Sequence, residues 1–238
     1  MTEMLYMQPD APLEYETTVL EMPDSGTVIL PVTAFYPQGG GQPSDQGMLT
    51  GAHGQFRVDK VQNIEGTVHL LGEITEGTLK PGDTVQCIVD TERRQVNTRI
   101  HSAGHVLDMA VKNLGYTWVP GKGYHFPDSP YVEYVGELPE NIEELRALIE
   151  KEANNLISQD LSVNIEFMDR PEMEKRLPFV PEYLPTNRPA RVVFMGEIGI
   201  PCGGTHVKHL KEIGKMEVTK LKLKSGNIRV GYQVREQL

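Results

Sequence analysis

Hydrophobic positions along this 238-residue chain change their period once, near residue 90. Before that point they fall in short runs such as Val28-Ile29-Leu30, Phe56-Arg57-Val58 and Val85-Gln86-Cys87-Ile88-Val89. Turn residues separate the runs: Pro23-Asp24-Ser25-Gly26, Glu65-Gly66 and Pro81-Gly82-Asp83. Short apolar runs punctuated in this way predict strands, and their close spacing predicts a small β-barrel or sandwich. From Thr91 the pattern becomes helical. Val96, Ile100, Ala103, Val106, Leu107, Ala110, Val111 and Leu114 recur at spacings of three and four, with Gly115 placed to end the helix. A second helix is predicted over 141–159, with strands over 163–168 and 191–195 and a hairpin of 217–223 and 227–234 around Ser225-Gly226. The predicted organisation is therefore a β domain over 1–90 and an α+β domain over 91–238, with no internal repeat.

Composition narrows the class. A hydrophobic fraction of 39% and a charged fraction of 24% suit a globular protein. No run reaches the roughly 18 apolar residues of a membrane helix, and Met1-Thr2-Glu3-Met4-Leu5-Tyr6 lacks the basic-then-apolar pattern of a secretory signal. Cys87 and Cys202 are the only cysteines, which excludes a disulfide framework and fits a reducing compartment. A soluble, cytoplasmic protein with no membrane partner is expected.

Net charge is −10, which argues against a polyanionic partner until its distribution is examined. Residues 91–125 carry five bases against two acids, and residues 207–238 carry eight against three. A local basic patch is what polyanion binding requires, although solvated basic faces produce the same count.

Both basic segments adjoin histidine motifs. In His101-Ser102-Ala103-Gly104-His105 two imidazoles stand one helical turn apart on one face, so both can reach one ion. Cys202-Gly203-Gly204-Thr205-His206 repeats the four-residue spacing, and the resulting nitrogen and sulfur donors suit zinc. With seven histidines in the chain, chance yields about 0.2 His-x-x-x-His pairs, so the first motif is weak alone and gains from the second. Structural zinc sites gather ligands from short loops. Two pairs nearly a hundred residues apart instead bridge elements of a formed domain, which favours a catalytic ion with a position left open. His206 is either the fourth ligand or a neighbour of that position.

Two glycine-rich segments accompany these pairs. Phe35–Gly47 contains Gly39-Gly40-Gly41-Gln42, where glycines permit close backbone approach; a long turn in the β domain is the plainer reading. The segment 119–126 contains Gly121-Lys122-Gly123-Tyr124-His125-Phe126 in a loop after the first helix, where Lys122 and His125 read first as surface residues. The first glycine segment lacks the Gly-Lys-Ser/Thr of a phosphate-binding loop.

Taken together, Arg93-Arg94, the two ligand pairs and the two glycine segments resemble the AlaX family of free-standing alanyl-tRNA editing proteins, and the editing domain of alanyl-tRNA synthetase. The β domain with its glycine motif is similar to the medium-length type. The resemblance implies a translation-factor-like β-barrel joined to an α+β editing domain of the threonyl/alanyl-tRNA synthetase type. It implies hydrolysis of mischarged alanine tRNA in trans, chiefly its seryl and also its glycyl ester. It further implies one Zn2+ per chain on His101, His105, Cys202 and His206. Gly40, Gly41, Gln42, Gly121, Lys122 and Gly123 are implied near the substrate. Arg93, Arg94, Lys208, Lys211, Lys220, Lys222 and Lys224 are expected to face tRNA phosphates, with Lys211 and Lys215 read alone as solvated helix residues. No residue is identified as a protein general base. A second hydrolytic site makes physical sense, because a pocket sized for alanine cannot exclude glycine by size and rejects the serine hydroxyl poorly. Three other readings stay open: a zinc hydrolase of a small ester or amide, a non-catalytic tRNA-binding module with structural zinc, and an editor of threonine tRNA.

Overall fold

The structure is a computed structural model and describes residues 1–177, 180–182 and 184–235. The chain divides into two compact units: residues 1–39 with 43–96, and residues 40–42 with 97–238. Among the described residues no helix is long and apolar enough to cross a membrane.

The first unit holds nine strands: β1 (Glu3–Met4), β2 (Glu14–Thr18), β3 (Glu21–Asp24), β4 (Thr27–Ile29), β5 (Val32–Thr33), β6 (Gly47–Gly51), β7 (Gly54–Ile64), β8 (Thr67–Gly77) and β9 (Thr84–Val89). Seven of them form one antiparallel sheet in the order β2-β9-β6-β7-β8-β4-β3, and β1 pairs with β5 in parallel. Alternation sets the buried side: Val85, Cys87 and Val89 of β9 turn inward with Leu49, Phe56, Val58 and Leu70, while the intervening residues are exposed. The barrel expected here is an open, curled sheet, because no ladder among the described residues joins β2 to β3. The physical reason lies at the edge. β3 has four residues, one of them Pro23, which has no amide hydrogen to offer a further strand.

A helix, α1 (Thr91–Asn113), follows β9. Asp90 caps it, its carboxylate accepting from the Arg93 amide at 3.0 Å. It ends where Gly115 takes φ 85°, a left-handed conformation that costs glycine little. Arg94 and Asp45 form a buried pair in the first unit. The Arg94 Nε lies 3.0 Å from Asp45 Oδ1, Nη2 also contacts that carboxylate and donates to the Ala34 carbonyl at 2.6 Å, and the Tyr36 amide donates to Asp45 Oδ2 at 2.6 Å. Arg94 is therefore not a phosphate contact: its side chain is 8% exposed and its charge is answered internally.

The second unit contains β10 (Val119–Tyr124), β11 (Tyr131–Val135), α2 (Ile142–Ser158), β12 (Val163–Met168), α3 (Arg170–Arg176), β13 (Ala190–Met195), β14 (Ile198–Pro201), β15 (Lys215–Lys224) and β16 (Asn227–Arg235). One sheet has the order β10-β11-β16-β15, and a second has the order β12-β13-β14. The β15–β16 hairpin turns at Ser225 (φ 51°) and Gly226 (φ 85°), as the Ser-Gly pair suggests. The glycine segment expected as a loop is instead the edge strand β10, with its register broken between Pro120 and Gly123. Proline and glycine are tolerated there because an edge strand need not donate on both sides.

At the opposite edge, β15 is covered by α2. Asn154 donates to the Met216 carbonyl at 2.8 Å and accepts from its amide at 3.0 Å. Glu150 accepts from the Val218 amide at 2.9 Å, and Arg146 donates to the Val218 carbonyl at 2.7 Å. Residues 146, 150 and 154 recur at one helical turn and serve two residues of one strand face, so side chains replace the missing neighbour strand. Two buried tyrosines fix α1 to the sheet: Tyr232 donates to the Ile100 carbonyl at 2.9 Å and Tyr134 to Asp108 at 2.7 Å.

Candidate metal centre

His101 and His105 project from one face of α1, their ring centroids 5.3 Å apart. The other pair lies on the segment after β14. Arg191, on β13, donates to the carbonyls of Cys202 at 2.6 Å and Gly204 at 3.0 Å and so shapes the backbone around the thiol. One donor atom from each of His101, His105, Cys202 and His206 lies within 4.8 Å of every other. Cys202 Sγ is 3.3 Å from His101 Nε2 and 3.4 Å from His206 Nε2. Tetrahedral ligands at about 2.1–2.3 Å from an ion stand roughly 3.3–3.8 Å from each other, so the two measured separations match such a cage.

The outward nitrogens of the rings face other side chains. Two of the three are hydrogen-bonded: His101 Nδ1 is 2.7 Å from Gln42 Oε1 and His206 Nδ1 is 3.3 Å from Ser102 Oγ, whereas His105 Nδ1 only faces Asp108 Oδ2 at 3.8 Å, beyond hydrogen-bond distance. Fixing Nδ1 in this way leaves Nε2 directed inward, the usual arrangement around a metal. Both nitrogens of His105 are buried without a hydrogen-bond partner. A buried imidazole without partners is costly unless something absent from the protein chain completes it. This orphaned ring, with its donor set of three imidazoles and one thiol, fits Zn2+.

Electrostatics agree. Burial alone pushes the Cys202 thiol up, but the His101 and His206 rings outweigh it and hold the thiol well below its usual range. Burial pushes His105 down, yet Asp108 and Cys202 reverse that and raise it to about 10. His206 is lowered to about 3, chiefly by burial. Without an ion these shifts favour a thiolate at Cys202 and a proton on His105, and a metal that needs the neutral imidazole displaces that proton.

Glycines make this packing possible. A Cβ on Gly204 would stand 2.1 Å from His101 Cε1, and one on Gly104 would stand 2.5 Å from His125 Cε1. Gly41 (φ +78°) accepts from the His125 amide at 2.8 Å, and a Cβ there would stand 2.4 Å from the Gly123 carbonyl. The two glycine segments identified in the sequence therefore meet beside the histidines. Gln42 is fully buried; besides holding His101 it accepts from the Thr205 amide at 3.1 Å and donates to Thr205 Oγ1 at 3.0 Å.

His125, expected at the surface, is buried. Its ring stacks on His101 at 4.7 Å, its Nδ1 is 2.6 Å from the Tyr232 hydroxyl, and burial followed by the His101 ring lowers it to about 2. Since Tyr232 donates to Ile100, it accepts from His125, which fixes that ring as the neutral Nδ1–H tautomer. Gly40, Gly121 and Lys122 are exposed, whereas Gly123 contacts His125. Arg93 donates to the Ser44 carbonyl at 2.9 Å. Lys208, Lys211, Lys215, Lys220, Lys222 and Lys224 are exposed; Lys211 lies in a 3-10 turn rather than the α-helix expected of it. Ser102, Asp108, Arg191 and Tyr232 were not singled out by sequence. Asp108 carries a usable signal, three residues beyond His105 on the same helical face, whereas the others contact the site across long chain separations.

Comparison with known proteins gives two family matches: "tRNA synthetases class II (A)" over residues 12–93, and "Threonyl and Alanyl tRNA synthetase second additional domain" over residues 190–230. The chain is similar to the alanyl-tRNA editing protein AlaX-M of Methanosarcina barkeri, with 33% identity covering 98% of each chain. It is 31% identical to AlaX-L of Pyrococcus horikoshii over 96% of this chain and 56% of that one. The alanine–tRNA ligase of Methanocorpusculum labreanum is 33% identical over 92% of this chain, which spans only 24% of the ligase.

Proposed function

The chain belongs to the AlaX family of alanyl-tRNA editing proteins, and on that premise we propose that it is a zinc-dependent deacylase acting in trans on alanine tRNA mischarged with serine, and also with glycine. The observation that carries the reading is the cluster itself: four donor atoms within 4.8 Å, with the outward nitrogens of His101 and His206 held by Gln42 and Ser102. An ion there, held by His101, His105, Cys202 and His206, supplies Lewis acidity toward an ester carbonyl or a water.

The chain's own residues supply order. Gln42 fixes the His101 ring and, through Thr205, the ligand loop; Arg191 holds the loop's carbonyls; His125 packs a neutral ring against His101. Aminoacyl esters are activated, so positioning and carbonyl polarisation suffice for fast hydrolysis, and no protein general base needs to be invoked. A separate hydrolytic site removes what the synthetic pocket rejects poorly: glycine, which size cannot exclude, and serine, whose added hydroxyl costs little.

The test is release of amino acid from seryl-, glycyl- and alanyl-tRNA of alanine specificity, with metal stripped and with zinc restored. Rapid loss of serine but not alanine, dependent on zinc, is expected. Failure of the zinc-loaded protein to cleave any of the mischarged esters overturns the assignment.

A further inference from the structure

The outer face of the four-stranded sheet carries residues that neither the core nor the metal cluster uses. On its inner face Val132, Tyr134, Val230, Tyr232 and Leu221 are buried. The alternate positions turn outward, and four of them meet across the strands: Tyr131 pairs with Gly231, and Gly231 with Lys220, while Tyr124 pairs with Tyr131 from the other side. Phe126 stacks on Tyr124 with centroids 4.5 Å apart and planes within 12°. Tyr124 stacks on Tyr131 at 5.3 Å and 15°, and the Arg229 guanidinium lies 3.8 Å from the Tyr131 centroid. Four planar groups thus form one continuous column, and all four are only part-buried.

Charge lies on the far side of the same face. Lys220, Lys222 and Lys224 alternate along β15, with Lys222 directly opposite Arg229. The acids on its strands are paired, Glu133 with Arg229 and Glu217 with Arg235, Asp128 in the β10–β11 turn lies beside Tyr124, and no ion pair among the described residues engages the three lysines. Between column and lysines stands Gly231, against which Thr219 and Lys220 pack closely: a Cβ there would lie 3.2 Å from Thr219 Oγ1 and 3.4 Å from Lys220 Cβ. Two strand spacings separate Tyr131 from Lys220, roughly 10 Å. Aromatic planes for bases beside cations for phosphates are the elements of a surface for single-stranded nucleic acid.

We propose that this face holds a single-stranded RNA segment, its bases extending the column of Phe126, Tyr124, Tyr131 and Arg229 and its phosphates meeting Lys220, Lys222 and Lys224. The identification of that segment as the unpaired 3′ end of the acyl-tRNA rests on the deacylase reading. Tyr124 and Phe126 flank His125, whose ring stacks on His101, so the column adjoins the strand end that reaches the metal cluster. Cross-strand aromatic pairs also stabilise a sheet, so the test needs a readout that stability does not move.

The probes are a fluorescent single-stranded oligoribonucleotide with the tRNA 3′-terminal sequence and a blunt-ended RNA hairpin, titrated by anisotropy against the zinc-loaded full chain. The single strand is expected to bind more tightly. Phe126→Leu, at the end of the column, should weaken it about tenfold, and Tyr131→Leu similarly, with Tyr131→Phe restoring affinity. Each of Lys220→Gln, Lys222→Gln and Lys224→Gln should reduce the slope of log affinity against log salt by about 0.7. Equal binding of both RNAs, or undiminished affinity in the leucine variants with native near-UV circular dichroism, overturns the proposal. The two readings fail separately. A chain that binds the oligonucleotide through the column but releases no amino acid keeps the RNA platform and loses the deacylase. A chain that releases serine with the same KM in the leucine variants keeps the deacylase and loses the platform.

Discussion

Each unit of the molecule contains one cysteine and one group of buried polar side chains, and the two treat them in opposite ways. In the first unit Cys87 lies among Leu49, Phe56 and Val85, and burial drives its thiol up to about 12. The buried charge of that unit, Asp45 with Arg94, is closed: the carboxylate meets both the guanidinium and the Tyr36 amide. In the second unit Cys202 faces imidazoles that overcome the effect of burial and favour the thiolate, and His105 is left without a hydrogen-bond partner. A closed polar network supports a fold; one with an inward-facing gap is organised around something it binds.

The largest effect that would sharpen this contrast comes from exchanging the two thiols one at a time. Cys202→Ser should remove stoichiometric zinc and reduce serine release to background, while Cys87→Ser keeps both, as read by metal analysis and the deacylation assay. Loss of zinc in both variants would mean the contrast is one of general stability. Arg94→Met strikes the closed network instead. It strands Asp45 in the interior and should cost about 3–5 kcal/mol in urea unfolding, whereas pairing it with Asp45→Leu should recover most of that loss.

Smaller effects are expected from the residues that orient the ligands. Gly204→Ala displaces the His101 ring, and Gln42→Ala frees its Nδ1. Each should weaken zinc about 10–100-fold in a chelator competition, with serine release returning at excess zinc. The mildest probe leaves the sequence intact. At pH 8 a thiol with its pKa near 12 is almost wholly protonated, so Cys87 should resist alkylation until the protein unfolds. Cys202 should react in the metal-stripped protein and be shielded by zinc; two equally reactive thiols in mass spectrometry would erase the distinction.

Much of the architecture was legible before any tertiary contact was known. The change of period at residue 90, the helix ending before Gly115 and the Ser225-Gly226 turn are local features, fixed by side-chain spacing and backbone freedom. The open sheet was not, because closure depends on whether β2 and β3 find each other, and a local pattern does not register the partner of an edge strand. The burial of Arg94 was missed for a similar reason: a basic dipeptide before a histidine motif reads as surface charge until Asp45 is brought beside it.

Residue type and spacing alone specify the metal-type donors: His101 and His105 one turn apart on a helix, and a Cys-Gly-Gly-Thr-His segment whose glycines allow close approach. Tertiary packing alone brings these four together, lets Gln42 and Ser102 orient the His101 and His206 rings, and lays His125 against His101 rather than in solvent. Spacing of three or four residues constrains direction within one helix, but nothing in a linear pattern fixes distance between residues a hundred positions apart. That distance is set by how the sheet seats Tyr232 and Tyr134 against α1 and by how Arg191 bends the chain after β14.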